Sequence, residues 1–403
     1  VDMQLDNNVV IAGAGQAAAT AAAELRRAGH AGAIVIVGDE AHAPYERPQL
    51  SKAMLKPGAA PARHIRDVAA FAADGIELRL GRRVQAVDAA ARHVELDDGS
   101  TLAWSRLLIA TGVRPRRLPG AMDVPGRVRY LRSLEDAAHL ARDFDEGHAL
   151  AIVGGGVIGL EVAAAAAARG IAVTLVEAAD RLMPRSLDAP VSAALARIHA
   201  ARGVDIRLGC QAVALHDDGS VELSDGSRVP GARVLVGIGV EPNIEAFAGL
   251  GISDALGIRV DACGRTAIEG IYAAGDVASQ PLAAGHGRIE TWANAQDHAV
   301  AVARNLIGEP VAYTAPTWFW SDQGGTNLQV LGDATQGTRV VRGNEGSDRF
   351  SVFRLDDAGR ISGCTTLNNP KDMAMARRWM RQATRLEPSK LADPATNLSD
   401  CQS

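Results

Sequence analysis

Cysteine is scarce. The four residues, Cys210, Cys263, Cys364 and Cys401, lie far apart and form neither a C-x-x-C pair nor a zinc-ligand pattern. No metal site is expected, and no local redox dithiol. Aromatic residues are equally thin at 4%, whereas hydrophobic residues make up 47%, mostly Ala, Val and Leu. That balance favours helices packed closely on sheets over an aromatic-rich sandwich. No apolar run is long enough to cross a bilayer. Residues 1–8 are short of the apolar core of a signal peptide, so a cytoplasmic location is expected. The formal net charge of -5 is mild, which argues against nucleic acid or an anionic membrane as a partner. A chain of 403 residues should divide into two or three domains.

What the chain does have is glycine at the ends of apolar strands. Val9–Ala12 is a continuous apolar run, as expected of a strand buried on both faces. Gly13-Ala14-Gly15-Gln16-Ala17-Ala18 follows, then an Ala-rich helical stretch to about Ala28, then the strand Ile34–Val37 ending at Asp39 and Glu40. The same grammar returns in mid-chain. Leu150–Val153 leads into Gly154-Gly155-Gly156-Val157-Ile158-Gly159, a helix to about Arg169, and a strand closing on Glu177. Two such units amount to an internal duplication of a βαβ nucleotide fold.

A lone G-x-G-x-x-G motif is weak, but two copies in full strand–helix–strand context are not. In each, the first glycine makes the tight turn and the second lets backbone approach a pyrophosphate. The helix N-terminus adds N–H donors and a positive dipole end. The third position needs a small residue, Ala18 in the first copy and Gly159 in the second. Asp39 or Glu40 would bond the ribose in the first site, with Asp39 favoured. In the second, Glu177 would accept from an adenosine 2′-OH and repel a 2′-phosphate, favouring NADH. Arg181 and Arg185 lie nearby and leave the strictness over NADPH open.

Three further strands end at glycine: Leu107 to Gly112 with its Ala110-Thr111-Gly112 turn, Val234 to Gly239, and Gly270 to Gly275-Asp276. Asp276 could hold a ribitol hydroxyl or cap a turn. Glu290-Thr291-Trp292 opens a long helical pattern, where Trp292 suits either a cofactor edge or the core. After about Pro316 the texture changes to alternating strands and a basic helix from about Lys371 to Arg385, a small α+β domain.

Pro44-Tyr45-Glu46-Arg47-Pro48-Gln49-Leu50-Ser51-Lys52, Ala110-Thr111-Gly112, Ala274-Gly275-Asp276 and Trp318-Phe319-Trp320-Ser321-Asp322-Gln323 together resemble the FAD-dependent, NADH-utilising ferredoxin reductases. Members of that family serve aromatic-ring dioxygenases and haem-thiolate monooxygenases, and the likeness is greatest to the biphenyl-dioxygenase branch. The resemblance implies an α/β fold with two Rossmann-like domains and a C-terminal α+β domain. Its expected bounds are 1–117 with 244–315 for FAD, 118–243 for NADH, and 316–403 for an interface domain. It implies FAD contacts at Gly13, Gly15, Ala17, Asp39, Lys52, Val84, Arg132, Asp276 and Trp292. Arg47 and Pro48 belong to the same wall, and Trp320 is a candidate neighbour of the flavin ring or a packing residue of the third domain. NADH contacts fall on Gly154, Gly156, Val157, Ile158, Glu161, Glu177 and Gly239. Lys52 and Glu161 are the residues expected to act in catalysis, Glu161 being placed in the first helical turn, where it can reach Lys52 or the nicotinamide amide.

The expected activity is NADH:ferredoxin oxidoreductase, with hydride passing to FAD and electrons leaving singly to a 2Fe–2S ferredoxin. Arg377, Arg378, Arg381 and Arg385 could meet an acidic ferredoxin or simply form a solvated helix face. A disulfide reductase of the same fold would need cysteines near Arg47 to Lys52, and there are none. A quinone reductase would want an apolar anchor, for which Met373, Met375, Trp379 and Met380 are ambiguous material. An NADH oxidase or an NADH-binding redox sensor resembling apoptosis-inducing flavoproteins is the remaining alternative. Monomer and homodimer are both compatible with the sequence.

Overall fold

The computed structural model describes residues 7–403 apart from 60, 232, 284 and 309. They form two compact units. The first contains the chain up to Arg47, Ala62–Arg114 and Val240–Ala315; the second contains Pro48–Pro61, Pro115–Gly239 and Pro316–Ser403.

The first unit is built on a five-stranded sheet in the order Ile271–Ala273, Arg106–Ile109, Val9–Ala12, Ile34–Gly38, Ile76–Leu80. Every pairing is parallel. The central strand Val9–Ala12 is buried along its whole length, which explains its unbroken apolar run. One face is covered by the helices Gln16–Arg27 and Trp292–Ile307. They meet through small side chains, with Ala18, Ala21 and Ala22 packed in one core with Ala295, Ala299 and Ala303. The opposite face carries Trp104, Phe247 and Ile258, beside a small antiparallel sheet formed by Val84–Asp88, His93–Leu96 and Thr101–Ala103.

The second unit repeats the plan. Its parallel sheet runs Val204–Leu208, Val173–Glu177, Leu150–Val153, Arg233–Val236, Val128–Arg129. Helices Val157–Ala167 and Ala189–Ala200 contribute Leu160, Val162, Val191 and Leu195 to the core. The C-terminal part is a five-stranded antiparallel sheet, ordered Trp318–Gln323, Thr326–Gly332, Ile361–Leu367, Phe350–Leu355, Thr338–Gly343. Helix Pro370–Gln382 packs on it through Met373, Ala376 and Trp379, which are all fully buried. Trp379 is thus a core side chain whose loss costs about 3–5 kcal/mol.

Two helix boundaries differ from the sequence expectation. The basic helix stops at Gln382, because Ala383 turns left-handed at φ 49°, and Arg385 instead bridges Arg360 in an isolated strand pairing. The helix expected from Glu290 begins at Trp292, because Thr291 is its N-cap, accepting from Asn294 N at 3.0 Å. Among the described residues no helix is long and apolar enough to cross a membrane.

Candidate nucleotide sites

The two glycine loops have the same geometry. Gly13 and Gly154 adopt φ of 112° and 113°, a region open mainly to glycine. A Cβ at Gly13 would collide with the carbonyl oxygen of Ala110, and one at Gly154 with that of Gly237. These two glycines are demanded by the fold. Gly15 and Gly156 are different. Their φ values of -94° and -84° suit any residue, and a Cβ at either would meet nothing within 4 Å. Neither strain nor packing requires glycine there, so the missing side chain leaves room for something outside the protein. Each is the N-cap of a helix with no side-chain cap, which leaves backbone N–H groups at a positive dipole end. Open space over the glycine and helix-end N–H groups are features that suit an anionic group such as a pyrophosphate. Ala18 and Gly159 fill the third motif position, and a Cβ on Gly159 would strike Gly154 O.

In the first unit Glu40 and Asp39 have separate fates. Glu40 accepts from Tyr45 Oη at 2.6 Å and pairs with Arg47 at 2.6 Å. Asp39 keeps a side chain 62% exposed, with Arg83 at 3.9 Å. Of the two acids, Asp39 is the one left open to a ribose. The Ala110-Thr111-Gly112 turn is clamped to Asn243, with Thr111 Oγ1 donating to Asn243 O at 2.7 Å and Asn243 Nδ2 returning a bond to Thr111 O at 2.9 Å. Thr111 therefore shapes the loop with its hydroxyl. A Cβ on Gly275 would lie 2.9 Å from Ala17 Cβ and 3.8 Å from Ala295 Cα. Glycine there lets the turn that carries Asp276 pass close to the first turns of both covering helices. Val84 is buried on its small sheet, and Glu290 pairs with Arg288 at 2.9 Å.

In the second unit Glu177 braces the glycine loop. Its Oε2 accepts from Gly155 N at 2.7 Å and its Oε1 from Ala179 N at 2.8 Å. Val157 and Ile158 open the following helix, Ile158 being 40% exposed; the neighbouring loop presents Ile238 at 41% between Gly237 and Gly239. Ile238, absent from the sequence expectation, supplies a second apolar wall beside the loop. The signal for it is a large apolar residue between two glycines at a strand end. Arg132 lies just ahead of the capping box of helix Leu134–Asp145, its N donating to Asp136 at 2.9 Å.

Lys52 and Glu161 are brought together in the second unit, with Nζ 2.7 Å from Oε2. Glu161 is 3% exposed. It sits in the second turn of its helix, which starts at Val157, and not in the first turn expected from the motif. Lys52 also donates to Pro48 O at 3.3 Å. Ser51 Oγ donates to Glu161 Oε2, and Ser321 Oγ to Glu161 Oε1 at 2.6 Å. The carboxylate thus has donors on both oxygens, as a buried charge requires. Trp320 lies one residue before Ser321 and stacks on Trp318 at 5.3 Å, and Trp318 in turn carries Arg377 at 4.2 Å.

The family model for the pyridine nucleotide-disulphide oxidoreductases matches residues 7–299, spanning both glycine loops. The chain belongs to that family. A second model, the reductase C-terminal domain, matches residues 318–402. The chain is 59% identical to the p-cumate 2,3-dioxygenase system ferredoxin–NAD(+) reductase component of Pseudomonas putida, over 98% of each. Identity to the biphenyl dioxygenase system ferredoxin–NAD(+) reductase component of Paraburkholderia xenovorans is 37%, over 98% of each. The biphenyl placement made from sequence is therefore corrected toward the p-cumate relative. The fold also matches the solved covalent putidaredoxin reductase–putidaredoxin complex, at 36% identity and TM-score 0.92 over 98% of each chain. Despite the family's name, no cysteine lies between Arg47 and Lys52, and all four cysteines are free.

Proposed function

We propose that the chain is the NADH:ferredoxin oxidoreductase of an aromatic-ring dioxygenase system, passing electrons from NADH through FAD to a 2Fe–2S ferredoxin. The observation that carries this is the pair of glycines, Gly15 and Gly156, whose missing side chains serve no need of the protein itself. The names of the p-cumate and biphenyl relatives support the ferredoxin as acceptor. The reading assigns FAD to 1–117 with 244–315, NADH to 118–243, and partner docking to 316–403.

FAD, when bound, accepts a hydride from NADH and gives up its two electrons one at a time. The chain's own residues bind, orient and charge the surroundings. Gly13, Gly15 and Ala17 seat the flavin pyrophosphate, Asp39 takes its ribose and Asp276 a ribitol hydroxyl. Trp292 begins a capped helix whose positive end favours negative charge by about 0.3–1 kcal/mol. Gly154, Gly156 and Glu177 hold the adenosine half of NADH, with Ile158 and Ile238 as apolar walls. Lys52 contributes positive charge where electron density arrives, and Glu161 fixes the ammonium in place. Arg378 and Arg381 are exposed on the C-terminal helix, available to an acidic partner.

Anaerobic titration of the yellow protein with NADH, followed by candidate ferredoxins, tests this reading. One equivalent of NADH should bleach the flavin, and two equivalents of an oxidised, acidic 2Fe–2S ferredoxin, each taking one electron, should restore the colour. Colourless protein that takes up no FAD, or fast turnover with no need of ferredoxin, would count against it.

A further inference from the structure

The buried face of strand Trp318–Gln323 carries polar side chains where apolar ones would ordinarily pack. Ser321 and Gln323 are fully buried, and their spacing of two puts them on the same face. They belong to a line of hydrogen bonds that runs from His199 to the Glu161 carboxylate, entirely within the second unit. His199 Nε2 lies 2.7 Å from Gln323 Oε1, Gln323 Nε2 lies 3.0 Å from Ser321 Oγ, and Ser321 Oγ lies 2.6 Å from Glu161 Oε1.

The far end dictates the direction of every proton. An ionised carboxylate only accepts, so Ser321 gives its single proton to Glu161. The Ser321 lone pairs then accept from the amide nitrogen of Gln323, which turns Gln323 Oε1 toward His199. An amide oxygen also only accepts, so His199 carries its proton on Nε2. Burial, seconded by the charge of Arg202 and opposed by the Gln323 bond, pushes the imidazole below its ordinary pKa. That shift favours the neutral ring, and among the described residues its buried Nδ1 has no hydrogen-bond partner. Arg202 fixes the strand from outside the line, donating to Gln323 O at 2.6 Å and Thr326 Oγ1 at 2.8 Å.

We propose that this one-way line of donors orients the Glu161 carboxylate, making Ser321, Gln323 and His199 positioning residues for oxidation of NADH. It rests on the reading that Lys52 and Glu161 act in that step. Ser51 and Lys52 share Oε2, and Ser321 alone among the described side chains holds Oε1. Without Ser321 the carboxylate can turn about its last bond and carry the Lys52 ammonium with it. Apolar residues at 321 and 323 would fill the same space without polar groups to satisfy. The C-terminal sheet thereby acts on hydride transfer as well as on docking.

The test is anaerobic stopped-flow reduction of the flavin-loaded, full-length enzyme by NADH. Ser321→Ala should lower the limiting rate of flavin reduction about tenfold, as loss of a bond to a charged group implies, with little change in the NADH concentration for half-saturation. Ser321→Thr, which keeps the hydroxyl, should recover most of the rate. The double variant Ser321→Ala/Glu161→Gln should be no slower than Glu161→Gln alone, because both changes act on one group. At the other end of the line, His199→Phe should slow reduction while His199→Gln, still an N–H donor, should not; this pair carries the test if Ser321→Ala does not fold. A wild-type rate in Ser321→Ala beside a slow Glu161→Gln overturns the inference and leaves the Lys52–Glu161 reading standing. Multiplying losses in the double variant do the same. A wild-type rate in Glu161→Gln removes both.

Discussion

Glu177 ends its strand with both carboxylate oxygens in use, one on Gly155 N at 2.7 Å and the other on Ala179 N at 2.8 Å. Each oxygen keeps a second lone pair, so ribose hydroxyls can be accepted without releasing the loop. A 2′-phosphate would instead set its charge against an ionised carboxylate. Glu177→Ser is expected to lower kcat/KM for NADH about tenfold, the value of one charge-assisted hydrogen bond. The loss with NADPH should be much smaller, so the preference between the two nucleotides shrinks; steady-state kinetics with both checks it. Equal losses would show that Glu177 only braces the loop. The acid at this strand end was legible because Glu177 stands alone there. In the first unit Asp39 and Glu40 are adjacent; the sequence favoured Asp39, and the folded contacts of Glu40 with Tyr45 and Arg47 give the physical reason. The partners of Glu161 were harder still. Lys52 was suggested by resemblance, but Ser51 lies 110 residues before Glu161 and Ser321 lies 160 after it. No periodicity or spacing reports contacts at such distances.

At the scale of elements, helix Trp292–Ile307 shows what pattern reading catches and what it misses. Its apolar spacing was visible, since Ala295, Ala299, Val302 and Leu306 all lie in the core that the helix shares with the sheet and helix Gln16–Arg27. Its start was misplaced because capping depends on which hydroxyl turns back, and Thr291 does so. The end of the C-terminal helix was missed for a related reason: Ala383, with no glycine to announce it, takes the left-handed conformation. The same Trp292 helix buries His298, which stacks on Tyr313 at 5.0 Å. Burial lowers the pKa of His298 to about 4, so folded protein keeps it neutral while unfolded chain protonates near 6.5. A depressed imidazole contributes stability that is whole above about 6.5 and is lost as pH falls through about 4. Between pH 7 and pH 5 its contribution to unfolding should fall by about 2 kcal/mol. Urea titrations of wild type and His298→Phe at the two pH values check this. The wild type should lose more than the variant, and equal losses would remove His298 as the cause.

At the scale of the molecule, a duplicated nucleotide fold makes a claim that neither site makes alone: each loop should fail separately. A Cβ at Gly15 or Gly156 would meet no protein atom within 4 Å, so valine at either position is expected to leave folding intact and act on the ligand alone. Gly15→Val is expected to purify with little or no FAD while still binding NADH. Gly156→Val should keep its yellow colour, and its KM for NADH should rise at least about tenfold, since a branched side chain would stand where backbone meets pyrophosphate. Flavin absorbance and melting temperature of both proteins, NADH binding by Gly15→Val and NADH kinetics of Gly156→Val check this. Gly154→Ala serves as the contrast, because its Cβ would strike Gly237 O and strain a positive φ. That protein should melt lower whatever the nucleotide. The duplication argument fails if Gly156→Val loses its flavin, or if Gly15→Val keeps FAD at the wild-type level. Either result would mean that the room beside that glycine is not the seat of the nucleotide assigned to it.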